Sequence, residues 1–223
     1  MAFSGPELSD FENVLALNAA WLELLQTDNR LRAGLSGLPE RLGDRITNLS
    51  KQQIGRLAAT PFLLFTFREG DDRYWTCILA ENPERDMFRA NDVDEVDTLI
   101  SASMGFIWQL ARRNSYALRL ICGGTLYWTE RIAEQTFLHL LNAVRSTADV
   151  PCVRFAENPE LWQKLLDGGV SRQALVRHAA QMSAFQAVLT DPPDRQAERL
   201  SLAARSTRAP KMCVAEENEP TQS

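Results

Sequence analysis

The chain has 223 residues, 45% of them hydrophobic and 24% charged, with a formal net charge of −5. Such a length buries a sizeable core without disulfides or metals, and the acidic balance argues against general attraction to nucleic acid or anionic membrane. Cys77, Cys122, Cys152 and Cys213 form no C-x-x-C pair, so neither a zinc pattern nor a disulfide framework is present and a reducing cytoplasm is expected.

Met1–Asp10 is polar and lacks the basic-then-apolar order of a signal peptide. Ser9-Asp10-Phe11-Glu12 has the form of a capping box, in which hydroxyl and carboxylate bond each other's backbone N–H. It predicts a helix to about Asp28, with Phe11, Val14, Leu15, Leu17, Trp21, Leu22 and Leu25 along one stripe. A short helix follows at Arg30–Leu35, then a glycine-rich turn, then a helix over Leu38–Leu49. Ser50-Lys51-Gln52-Gln53 is a second capping box and opens a helix that Pro61 ends.

Phe62–Phe67 is apolar and aromatic, and it reads as a buried strand or the start of a buried helix. With a turn at Asp71-Asp72, Tyr74–Leu79 is expected to pair back as the second strand of a small hairpin near 62–79. The run falls far short of the roughly 20 apolar residues that span a bilayer, so no membrane segment is expected.

Asp92–Glu95 predicts the start of a long helix to about Asn114, with acids in its first turn and Arg112-Arg113 in its last, as the macrodipole favours. Gly123-Gly124 predicts a turn. Thr129–Ser146 reads as one helix with Ile132, Thr136, Leu140 and Val144 inward. Pro151–Glu157 reads as a connector or short strand, and Pro159–Leu166 and Ser171–Leu189 as helices. Asp194–Arg208 has amphipathic character, and Ala209–Ser223 has a disordered composition. Three segments share a helix, glycine, helix order, around Gly34, Gly123-Gly124 and Gly168-Gly169, which C-capping by glycine explains.

The fold class is therefore mainly α: a helical bundle of about seven to nine helices with one small β-hairpin near 62–79. The boundaries are an N-terminal helical region at 1–80, a helical region at 81–208 and a tail at 209–223, and one single domain could hold both helical regions.

No catalytic motif stands out. His139 and His178 lack acid or cysteine neighbours at ligand spacing, so no metal site is expected. No phosphate-binding glycine loop and no nucleophile elbow occurs, and no cofactor is implied. The carboxylates at Asp92–Asp97 suit a helix N-terminus, and those at Asp71-Asp72 suit a turn.

Leu161–His178 carries the pattern of a helix-turn-helix: Gly169 at the turn, with Val170 and Leu175 as apolar positions. Ser171, Arg172 and Gln173 would then face a groove, with Lys164 and Arg177 available to phosphates. The ordinary alternative is a helical hairpin with a solvated basic face. Leu165 stands where a close crossing usually wants alanine. Arg195, Arg199, Arg205, Arg208 and Lys211 make a second basic stretch that could touch nucleic acid, though a solvated tail is the more common explanation.

Leu17-Asn18-Ala19, Leu24-Leu25-Gln26, Asp28, Arg32 with Gly34-Leu35, Leu49–Ile54, Arg56–Thr60 and Phe65–Arg68 together resemble FlhD, a subunit of the flagellar master transcription regulator of bacteria. The resemblance covers residues 17–68, about a quarter of the chain. It implies dimerisation and a role in transcriptional regulation beside a protein partner, with DNA contact supplied by the unmatched half. The chain lacks the cysteine that this family carries before the position of Arg68, and it is about twice the family's expected length. The functional expectation is a non-catalytic cytoplasmic regulator acting through protein partners, with homodimerisation and DNA contact open. The alternative is an adaptor or chaperone that binds another protein and no DNA.

Overall fold

The computed structural model describes residues 5–80, 94–147 and 149–190. Among them are eleven α-helices, one π-helical turn and one two-stranded antiparallel sheet. A mainly helical fold with a small strand pair agrees with the sequence. The expectations for Asp194–Arg208, Ala209–Ser223 and the basic stretch from Arg195 lie outside the described residues.

The first helix, α1, covers Leu8–Leu24. It starts before the expected capping box: the Glu7 N–H donates to the Asp10 carboxylate at 2.8 Å, and Asp10 in turn takes an ion pair from Arg113. Val14, Leu17, Trp21, Leu22 and Leu25 are buried as their spacing requires, whereas Leu15 is exposed. Asp28 caps a short α2 (Asn29–Ala33) rather than ending α1. Helix α3 (Glu40–Thr47) follows, then α4 (Lys51–Ala58) with the expected capping box at Ser50 and Gln53.

Strand β1 (Phe65–Thr66) falls within the expected aromatic strand, but its partner is not Tyr74–Leu79. It pairs with β2 (Cys152–Val153), part of the segment that reads as a connector or short strand, with Phe65 opposite Val153 and Thr66 opposite Cys152. Tyr74–Leu79 instead lies in helix α5 (Asp72–Ala80). The reason is local. Asp71 accepts from the Tyr74 N–H at 2.9 Å, as a helix cap does, and the buried residues Trp75, Ile78 and Leu79 follow helical rather than alternating spacing.

Helix α6 (Glu95–Arg113) matches its expected span, with Asp94 as its cap. The sequence reading missed α7 (Ser115–Cys122), which Asn114 caps through the Ala117 N–H. The expected helix over Thr129–Ser146 is two helices, α8 (Leu126–Glu134) and α9 (Phe137–Ser146). The break falls at Gln135, whose backbone turns extended and whose carbonyl accepts from the Trp108 indole at 2.8 Å. Thr136 is therefore an exposed cap for α9 instead of an inward residue, while Ile132, Leu140 and Val144 are buried. Helix α10 (Pro159–Lys164) runs into the π-helical turn Leu165–Gly169, and α11 (Ala174–Thr190) completes the described chain.

Of the three glycine segments, only Gly123 is a left-handed cap, at φ 80°. Gly34 is helical in conformation, and its reason is crowding. A Cβ there would lie 2.9 Å from the Pro151 carbonyl oxygen and 3.2 Å from the Cys152 Cα.

The core joins both expected regions into one cluster, from Val14 in α1 to Ala184 in α11. Its centre is the segment Phe62–Phe65, which is fully buried although it is not helical. Asn18, itself buried, satisfies it from α1: its amide donates to the carbonyls of Ala58 at 3.3 Å and Phe62 at 2.9 Å, and its oxygen accepts from the Leu64 N–H at 2.9 Å. Asn18→Ala leaves these backbone groups buried without partners. We expect a loss of about 2–4 kcal/mol of stability, read by urea unfolding.

Candidate functional site

The helix pair singled out in the sequence is built from α10, the π-helical turn and α11. Asn158 caps α10 by accepting from the Leu161 N–H at 3.1 Å, with Pro159 in the first turn. Leu165 and Leu166 are buried under α11. The close approach is made by Gly168, not at Leu165: a Cβ on Gly168 would meet the Ala180 Cβ at 2.6 Å. The small residue that a tight helix crossing needs therefore lies in the turn.

The loop after the turn is held from two sides. Arg56 donates to the Val170 carbonyl at 3.3 Å, and Arg177 donates to the Ser171 carbonyl at 3.0 Å. The Ser171 hydroxyl accepts from the Gln173 N–H at 3.2 Å. Arg45 donates to the Leu166 carbonyl at 3.1 Å and pairs with Asp167 at 2.7 Å, which holds that carboxyl below its ordinary range.

Of the expected contact residues, Lys164, Arg172 and Gln173 are exposed, whereas Ser171 and Arg177 are half-buried. Arg177 uses its guanidinium on the carbonyls of its own loop. Ser171, Arg172, Gln173 and Arg177 share one loop and first helical turn; Lys164 lies on the other helix.

Leu175 does not behave as a helix-turn-helix core position: it is 86% exposed. The inward face of α11 is formed by Gln181, Ala184, Phe185 and Val188. Gln181 donates to the Arg56 carbonyl at 3.2 Å, and Phe185 stacks on Phe62 at 6.4 Å between centroids. Ala184 lies nine residues from Leu175, which at 100° per residue is the opposite side of the helix. The outward face thus carries Leu175, Val176, Met182 at 40% exposure and Leu189 at 53%. The sequence reading missed this. The signal was available in the spacing of Leu175, Ala179, Met182, Gln186 and Leu189, which alternates four and three residues.

A second unusual region surrounds the sheet. Each strand is followed by a non-glycine residue in the left-handed region, Arg68 at φ 64° and Phe155 at φ 58°. Between them lie two buried charged residues, Glu69 and Arg154. Arg154 donates to the carbonyls of Ile121 at 2.6 Å and Leu63 at 3.3 Å, and stacks against Phe155. Gly123 makes room for it: a side chain there would strike the guanidinium. Burial pushes the Glu69 carboxyl up, while the Thr66 hydroxyl and the Arg154 charge pull it partly back. Burial likewise raises the Cys122 thiol. The neighbouring recess, lined by Thr66, Phe67, Arg68, Tyr74, Trp75, Val144, Asp149 and Val150, has room for about one water molecule. That space suits a structural polar cluster better than a substrate site.

Among the described residues no group of three or more histidine, cysteine or acidic side chains is placed to hold a metal, and no helix is long and apolar enough to cross a membrane. His139 lies against the Leu79 carbonyl at 3.1 Å, and His178 is exposed. No family model, curated protein or solved structure matches the chain.

The Glu69 carboxyl binds its proton more tightly in the folded chain than in the unfolded one. Its contribution to stability is therefore full below its ordinary value of 4.5 and declines as pH rises through the elevated folded value. The stability of wild type minus that of Glu69→Gln should fall with rising pH above about 4.5, measured by urea unfolding across a pH series. A rising difference would show that Glu69 is held as a stabilised carboxylate instead.

Proposed function

We propose that this is a non-catalytic regulatory protein that works by holding a protein partner against the outward face of α11. One observation carries the reading. Leu175, Val176, Met182 and Leu189 are displayed to solvent on a helix whose opposite side is already packed. Exposed apolar rows of this kind mark contact surfaces, since leaving them in water costs free energy that a partner recovers. Cytoplasm is the compartment proposed, from four cysteines that lie far apart in the sequence and show no C-x-x-C spacing.

The reading has a transcriptional form, of the FlhD kind, in which DNA is met at Lys164, Ser171, Arg172, Gln173 and Arg177. It also has an adaptor form with protein alone. The apolar character of the outward face and the engagement of Arg177 with its own loop favour the protein contact.

The test uses the tagged full chain in native extract, with and without nuclease. Leu175→Ser with Met182→Ser should abolish capture of the partner while changing stability by no more than about 0.5 kcal/mol per substitution. Arg172→Ala should leave capture unchanged. Capture that survives the double substitution would overturn the reading. Capture lost on nuclease treatment, together with DNA affinity lost in Arg172→Ala at a stated salt concentration, would move it to the transcriptional form.

A further inference from the structure

We infer that residues 8–80 and 95–169 are two copies of one module, paired about an internal two-fold axis, so that each copy already holds the second copy it needs. The element order is the same in both: four helices, a two-residue strand, then a helix. Helices α1 to α4, strand β1 and α5 thus correspond to α6 to α9, β2 and α10. Their caps coincide. Asp28 accepts from the Leu31 N–H at 3.2 Å, and Asn114, 86 positions on, accepts from the Ala117 N–H at 3.0 Å. Ser50 and Thr136 stand in the same relation at α4 and α9. From the strands onward the spacing is 87. Arg68 and Phe155 take the left-handed conformation, and Asp71 and Asn158 cap the helices that follow. The pairs Trp75 and Trp162, Ile78 and Leu165, and Leu79 and Leu166 are all buried.

The packing between the copies is reciprocal. Strand β1 pairs antiparallel with its own counterpart, Phe65 facing Val153 and Thr66 facing Cys152, as an axis through the sheet requires. The last helices are exchanged. Helix α5 lies against α8 and α9 of the second copy, while α10 lies against α3 and the π-helical turn against α4 of the first. The corresponding carbonyls of Leu79 and Leu166 each meet a side chain of the opposite copy, His139 at 3.1 Å and Arg45 at 3.1 Å. One difference between the copies compensates itself. Asn18 and Met104 are counterparts, and both are fully buried. Asn18 accepts from the Leu64 N–H at 2.9 Å. The counterpart of Leu64 is Pro151, which has no N–H, so Met104 has no donor there to serve. The surface through which such a module pairs with itself is therefore closed inside one chain. Among the described helices α11 alone has no counterpart. Resting on the proposed function, the partner surface accordingly occurs once per chain.

The full chain carries the tests. Asn18→Met with Leu64→Pro copies the second module's pair into the first. Adding Leu64→Pro to Asn18→Met should leave the urea midpoint near that of Asn18→Met alone, because the equivalent backbone already holds Pro151. Leu63→Pro in the same background should abolish folding, since the Leu63 N–H donates to the Ile121 carbonyl at 3.1 Å. Equal disruption by the two prolines would overturn the correspondence. Self-pairing is read by sedimentation velocity over a concentration series in Met182→Arg, which places a charge on the exposed face of α11. This variant should sediment as a single chain throughout. A dimer would mean that the module surface is still open, against the proposal. After cleavage at a protease site inserted within residues 81–93, the two pieces should sediment together as one particle. Pieces that part on cleavage would overturn the pairing as well. Partner capture is a separate readout: its indifference to Leu175 and Met182 removes the proposed function and leaves the paired modules in place.

Discussion

A non-helical segment runs through the middle of a helical protein, and its backbone must find hydrogen bonds without water. Phe62 to Phe65 is fully buried, so each N–H and C=O left alone there would cost free energy that packing alone does not return. The molecule supplies partners from several elements. Asn18 serves the Phe62 carbonyl and the Leu64 N–H from α1. The Ile121 carbonyl at the end of α7 accepts from the Leu63 N–H at 3.1 Å. Arg154 takes the Leu63 carbonyl with its side chain, and its own N–H donates to the Leu64 carbonyl at 3.0 Å. Strand β2 pairs with Phe65 and Thr66.

This requirement explains features that otherwise look unrelated. A buried arginine is destabilising unless its donors are used, and Arg154 uses them on carbonyls that the loop ends leave open. Gly123 and Gly34 are small because the guanidinium and the backbone of residues 151–152 pass so close. The Trp162 indole donates to the Arg154 carbonyl at 2.7 Å, which ties α10 to the same centre. The left-handed residues Arg68 and Phe155 redirect the chain after each short strand. Their strain is borne by a region over-determined by these bonds.

Helix α11 is fastened to this centre along one side and displays apolar residues along the other. Phe185 stacks on Phe62 of the central segment, so the helix that carries the proposed contact surface is anchored on a fully buried part of the core. The backbone that carries this surface is already folded and packed, so a partner meeting it would not have to order the helix.

Much of the helical architecture was legible in the sequence because its causes are local. Ser50 and Gln53 cap α4, and the acids before α6 and the arginines at its end suit its dipole, all through neighbours a few residues away. Three matters were decided only by the tertiary structure. Phe65–Thr66 found its partner in Cys152–Val153, because a strand edge takes whichever chain the fold delivers and Tyr74–Leu79 was already satisfied as a helix. Thr129–Ser146 broke in two because Trp108, distant in sequence, claims the Gln135 carbonyl. Leu175 turned outward because α11 is apolar on two sides, and periodicity cannot say which side the core will take. That choice was made by Gly168, Arg56 and Phe62, whose positions depend on the whole chain having folded.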